Sequence, residues 1–150
     1  MAFRYALQTL LRLRESLERQ EEQRLFAAAA VVSGLRAQLE QLEGDELCRE
    51  RETQQEMIAG SSAALLRFAE VCRAASLEVR KQPESRLDEA DRKRMERLQD
   101  YRAARQKREI LEGLRQKQEA AFRLKFARQE QQAADEAFLI RRPARIDAEH

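Results

Sequence analysis

A protein that does covalent chemistry must hold a proton donor, a metal or an electron pair in a defined place, and few side chains in this sequence are arranged for that. The two cysteines, Cys48 and Cys72, belong to no CxxC pair, and the single histidine, His150, is the last residue. This spacing supplies neither a zinc set nor a nucleophile beside a base. Carboxylates are plentiful, but they lie among basic residues, as Glu18, Arg19, Glu22 and Arg24 do. Acids placed this way on a helix are solvated and paired at one-turn spacing, not held in a dry cleft. The sequence has no glycine-rich phosphate loop. The expectation is therefore no catalytic residue, no cofactor site and no metal site, in a chain that is not an enzyme. The cysteines are expected to be reduced thiols acting as small apolar side chains.

Apolar surface is left to carry function, and composition says what must position it. Of 150 residues, 37% are charged and 5% aromatic, with no Trp, four Gly and two Pro. Such a mixture favours long helices over sheet. Lys and Arg number 29 against 27 Asp and Glu, giving a net charge of +2. Because the two signs are interleaved, long-range steering is weak and a dedicated nucleic-acid binder is disfavoured. Even the basic cluster RKRMER, Arg92 to Arg97, is interrupted by an acid, and reads as a solvated helix face. The longest apolar run, Leu25 to Val32, is far short of the roughly 20 residues that cross a bilayer.

From Phe3 to about Met57 apolar residues recur at three- and four-residue steps: Phe3, Leu7, Leu10, Leu17, Leu25, Ala28, Val32, Leu35, Leu39 and Leu42. This is the pattern of a coiled-coil seam. Between Leu17 and Leu25 the seam place falls to Glu21, and two steps of four should loosen the supercoil locally. The stretch MIAGSSA reverses the chain: Gly60 can adopt the left-handed conformation, and Ser61 or Ser62 can cap the next helix. In RKQPES, Pro83 lacks an N–H and disfavours a helical Gln82. The predicted elements are a helix over 3–57, an apex at 58–62, a helix over 63–81, a kink or break at 82–84, a helix over 84–142 ended by Pro143, and a tail over 143–150. The predicted fold is all-α, a single long antiparallel two-helix coiled-coil hairpin whose second arm is the longer.

Folding about Gly60 sets Leu42 near Arg80, Cys48 opposite Cys72, Leu10 near Ile110 and Phe3 near Lys117. The second arm then outruns the first by roughly 25 residues, about 35 Å of helix. Phe122, Phe126, Ala133, Ala137 and Ile140 form one stripe there. A solitary helix is marginal in water, so the stripe calls for cover. A different protein, an identical chain, or Phe3 and its neighbours are the three possible sources. Nearer the turn, Phe68, Cys72, Ala75 and Val79 have the spacing of the hairpin seam; alternatively Leu66, Ala69 and Leu77 carry the seam and the Phe68 face is a docking strip.

Four stretches, FRYALQTLLRLRESLE, LLRFAEVCRAASLE, LEGLRQKQEAAFRLKFARQEQQ and DEAFLIRR, resemble in order and spacing the flagellar FliJ proteins of bacterial type III export, over nearly the whole chain. The resemblance implies a cytoplasmic coiled-coil rod similar to the central shaft of rotary ATP synthases. It implies a stalk that inserts into the hexameric export ATPase, promotes ring assembly and activity, links the ring to the export gate, and escorts export chaperones. On that resemblance the end built from the two termini enters the ring, with Leu7, Leu10, Phe122, Phe126, Phe138 and Ile140 as contacts. Phe68, Cys72, Ala75 and Val79 match the family's gate-binding strip by position, and only Phe68 matches it well in type. The implied partners are the ATPase, the cytoplasmic domain of an export-gate membrane protein and export chaperones, but no nucleic acid. The chain alone is expected to be monomeric, cytoplasmic and peripheral to the inner membrane at the flagellar base. Two competing readings are the equivalent injectisome stalk and a self-associating coiled-coil scaffold.

Overall fold

The computed structural model describes residues 2–60 and 62–142. Ser61 as a cap, Pro143 as a helix stop and the tail 143–150 lie outside the described residues. Two long helices, α1 (Gln8–Ile58) and α2 (Ala63–Arg141), pack against each other, and the described residues include no strand. The chain forms two compact units: Leu17–Ala104, and the N-terminal stretch to Ser16 together with the chain from Arg105 onward.

The unit Leu17–Ala104 is a helical hairpin held by a seam of heptad period. On α1 the seam places are Glu18, Glu21, Leu25, Ala28, Val32, Leu35, Leu39, Leu42, Glu46 and Thr53, all half-buried except the fully buried Val32. Glu18 holds the place expected of Leu17, so the sevens run from Glu18 through Leu25, Val32, Leu39 and Glu46 to Thr53 with no added residue. No local loosening at Glu21 is needed, because counting back by sevens from Leu25 and Ala28 reaches Glu18 and Glu21 directly. A carboxylate can occupy such a place by burying its methylenes and turning its head toward a cation. Glu21 does this with one oxygen only: Oε1 accepts a hydrogen bond from Arg24 Nη1 at 2.9 Å, while Oε2 is buried without a hydrogen-bond partner.

The turn is closed by backbone bonds. Ala59 N–H donates to Gln55 O at 3.1 Å, Gly60 N–H donates to Met57 O at 3.2 Å, and Leu65 N–H donates to Ser62 O at 3.1 Å. Gly60 has φ 93°, where a side chain would be strained even in open space. Beyond the turn, Arg49 Nη1 donates to Ser76 Oγ at 3.1 Å, and Arg80 bridges to Glu43 at 2.7 Å and Glu46 at 3.0 Å. The register therefore differs from the expected one: Ser76, not Cys72, meets the α1 turn that holds Cys48, and Cys48 is exposed while Cys72 is half-buried. The reason is geometric. Side chains lean toward their own helix N-terminus, so in an antiparallel pair both contacting residues lie further along the chain than their backbone levels suggest.

A second difference concerns Pro83. Of the kink or break expected at 82–84, the break does not occur, since α2 continues through Pro83, which is buried on the seam. Pro83 removes one helical hydrogen bond, at a cost of about 3 kcal/mol in an isolated helix. Its burial against α1 and the ion pairs of Arg80, which reach Glu84 at 3.6 Å as well as α1, offset that loss.

In the other unit, residues 3–7 precede α1, which begins at Gln8 and not at Phe3. Held outside the helix, the segment lays two aromatic rings on α2. Tyr5 Oη donates to Leu111 O at 3.2 Å, and the Phe3 ring centroid lies 5.6 Å from that of Phe122. Leu11 is the anchor, with 0% of its surface exposed, whereas Leu7 and Leu10 remain 39% and 37% exposed. From Arg123 to Arg142 every described residue of this unit is exposed.

The burial contrast predicts a stability contrast. Leu11→Ala should lower unfolding free energy by about 2–5 kcal/mol. Phe26→Ala, at a ring that is 76% exposed, should change it by less than about 0.5 kcal/mol. Urea denaturation followed by helical circular dichroism measures both.

Candidate functional site

Among the apolar side chains that the helix pairing leaves uncovered, two groups coincide with the expected contact residues. In the hairpin unit, the α2 seam near the turn is made by Leu65, Ala69, Cys72, Ser76 and Arg80, all half-buried. At about 100° per residue these five places span about 80° of the helix. Phe68, Val71, Ala75 and Val79 fall in a neighbouring sector of about the same width. Phe68, Val71 and Val79 are 64%, 65% and 58% exposed, and Ala75 is exposed too.

Of the four residues expected to dock a partner here, Phe68, Ala75 and Val79 thus share an open face, while Cys72 belongs to the seam. Val71 takes the fourth place on that face, and it was missed because the spacing of Phe68, Cys72, Ala75 and Val79 alone does not distinguish a seam from its flank. Extending the heptad phase from Leu65 and Ala69 would have separated them. Leu66 and Leu77, the alternative seam candidates, are exposed on the other flank. Beside the strip runs a groove of about 470 Å³ lined by Thr53 and Met57 of α1 and by Leu65, Phe68 and Cys72 of α2. It exists because Thr53, Ala69 and Cys72 are too small to fill the seam.

The second surface is in the unit built from the termini. Phe122 stacks on Phe126, with centroids 6.4 Å apart and planes inclined by 13°, and Phe3 tilts against Phe122 at 48°. Phe122 is therefore partly covered by its own chain, whereas Phe126 begins the uncovered stretch. Ile140 continues the Phe122 and Phe126 line, in phase with Ala133 and Ala137. Phe138 does not; it points about 160° away from Phe122, so Phe138 and Ile140, 65% and 82% exposed, stand on different faces. Leu7 and Leu10 flank the buried Leu11 at the N-terminal side of the same unit. The set expected to meet one partner is thus divided into an aromatic pair, two half-open leucines and two residues on separate sides of a helix.

Among the described residues no cluster of His, Cys, Asp and Glu could hold a metal ion, and no helix is long and apolar enough to cross a membrane. Paired helices with exposed apolar strips and salt-bridged flanks define an all-helical protein of two long helices. The comparison with known families gives that class an address: residues 3–145 match the family described as Flagellar FliJ protein, and the chain belongs to it. No curated protein and no solved structure matches the sequence. Membership makes the chain a structural, accessory component of the flagellar export apparatus.

The exposure of the strip makes it testable without a partner. Phe68→Asp and Val79→Asp should leave the thermal midpoint within the equivalent of about 0.5 kcal/mol of wild type. Cys72→Asp, which places a carboxylate on the seam, should destabilise by about 1–3 kcal/mol.

Proposed function

We propose that this chain is the central stalk of the flagellar export ATPase, inserting its terminal end into the hexameric ring, promoting ring assembly and hydrolysis, and linking the ring to the export gate. What supports the reading is the uncovered part of α2. About twenty residues beyond Phe122, on the order of 30 Å of helix, carry Phe126 and Ile140 on the Phe122 line, and every described residue among them is exposed. An exposed apolar line on a single helix is stabilised only by burial against another molecule. A ring lumen surrounds such a helix, which also suits the placement of Phe138 on a different face from Ile140.

A single asymmetric helix cannot fit six identical subunits equally. It favours one or two of them at a time and so biases their conformational equilibria. Leu7, Leu10 and the Phe122 and Phe126 pair, at the base of the projecting stretch, are the further ring contacts in this reading. The strip of Phe68, Ala75 and Val79, with Val71 added and Cys72 at its border, is the contact for the cytoplasmic domain of an export-gate protein. Export chaperones are additional partners. The working location is cytoplasmic, peripheral to the inner membrane at the flagellar base. Family membership favours the flagellar system over its injectisome counterpart.

A chain ending at Gln132 should keep its thermal midpoint, because none of the described residues it loses is buried, and should fail to stimulate ATP hydrolysis by the cognate export ATPase. Full stimulation by the shortened chain would refute ring insertion through this stretch. In the same assay Phe68→Asp should stimulate normally while losing capture by the gate domain.

A further inference from the structure

The hairpin unit is unevenly held along its length. Its buried residues, Val32, Pro83 and Ala90, all lie on the side of Arg80 away from the turn, and from Glu43 through the turn to Arg80 no described residue is buried. The seam composition explains this. Glu46 and Thr53 on α1 face Ala69, Cys72 and Ser76 on α2, where small or polar side chains leave a groove of about 470 Å³. Apolar burial is the main force that pairs helices in water, so this part of the seam is weak.

The weak part has a sharp boundary. Pro83 has no N–H, which deprives the Val79 carbonyl of its helical partner, and its ring biases Gln82 away from helical geometry. One turn before it, Arg80 lies 22% exposed between Glu43, Glu46 and Glu84 at 2.7, 3.0 and 3.6 Å. Arg80 therefore joins the helices beside the defect and also spans it along α2. A guanidinium so far removed from water loses much if its carboxylates leave.

We infer that residues 43–82, the turn-proximal part of the hairpin, open and close as one unit while the rest of the hairpin stays paired, with Pro83 as hinge and the Arg80 bridges to Glu43 and Glu46 as latch. Opening separates α1 from Leu65, Ala69 and Cys72 and breaks no large apolar cluster. The strip of Phe68, Val71, Ala75 and Val79 lies wholly within this unit, so a molecule that prefers the open form shifts the equilibrium by its difference in affinity. The inference stands on packing and bonding alone and does not depend on what the strip binds.

Hydrogen exchange on the full chain, read by mass spectrometry, tests it. Amides of 44–58 and 63–79 should share one protection level, at least about 30-fold below that of 22–40 and 86–102, with one common dependence on denaturant. Arg80→Gln should lower the turn-proximal protection by a further factor of about 10 and leave the rest within about twofold, and Pro83→Ala should raise it. Alkylation gives a second readout in the same molecule. The exposed Cys48 should react at the rate of a free thiol, and the half-buried Cys72 should react more slowly, accelerating in Arg80→Gln. Uniform protection across the hairpin, or a smooth decline from Leu42 to Gly60, would overturn the proposal. So would an Arg80→Gln effect spread evenly along both helices, or no gain in Pro83→Ala.

Discussion

An apolar line that recurs every seven residues along a polar helix is unstable in water unless a second helix covers it, and this chain supplies that helix itself. From Glu18 to Thr53 the line on α1 keeps strict heptad phase, and α2 returns along it after the turn at Gly60. The remaining features depend on how well the two lines match. Where Val32, Pro83 and Ala90 are buried, the seam is closed. Where Thr53 faces Cys72 and Ala69, it is open. Where α2 continues past Phe122, every described residue is exposed.

Ion pairs take a secondary part. Many link neighbouring turns of one helix, such as Arg123 with Glu119 at 2.8 Å and Lys81 with Glu78 at 2.6 Å, and exposed pairs of this kind contribute only a few tenths of a kcal/mol each. Arg80 is different because it is half-buried, joins both helices and sits beside the only proline within α2. One cation there ties register, helix continuity and the limit of the weakly packed segment together.

Much of this was legible in the sequence, and the exceptions share a cause. Composition and the run from Leu25 to Leu42 announced paired helices, and Gly60 announced the reversal. The misplacements came from following leucines instead of phase. Leu7, Leu10 and Leu17 attracted the seam because they are apolar, while the phase set by Leu25 and Ala28 runs through Leu11, Glu18 and Glu21. Polar residues at seam places carry no signal of their own. Local propensity at Pro83 left a kink or a break open, and the helix runs on through it because the ring is buried on the seam. The Cys48 and Cys72 opposition failed because a fold about a glycine fixes backbone levels, whereas contacts follow the lean of side chains. For the candidate surfaces the types were visible but the faces were not: Cys72 sits about one sector from the strip it was grouped with, and Phe138, grouped with Phe122 and Ile140 as a contact, points about 160° away from them.

An intramolecular hairpin and a self-associating scaffold differ in whether the helix that faces the line from Glu18 to Thr53 belongs to the same chain. The most direct measurement uses Arg49→Cys with Ser76→Cys, placed where the two side chains now meet at 3.1 Å, in a background of Cys48→Ser and Cys72→Ser, treated with a short bifunctional maleimide at high dilution. The account predicts a single linked chain of monomer mass, with the crosslinked peptide joining residues 49 and 76. Links found only between two chains would contradict it.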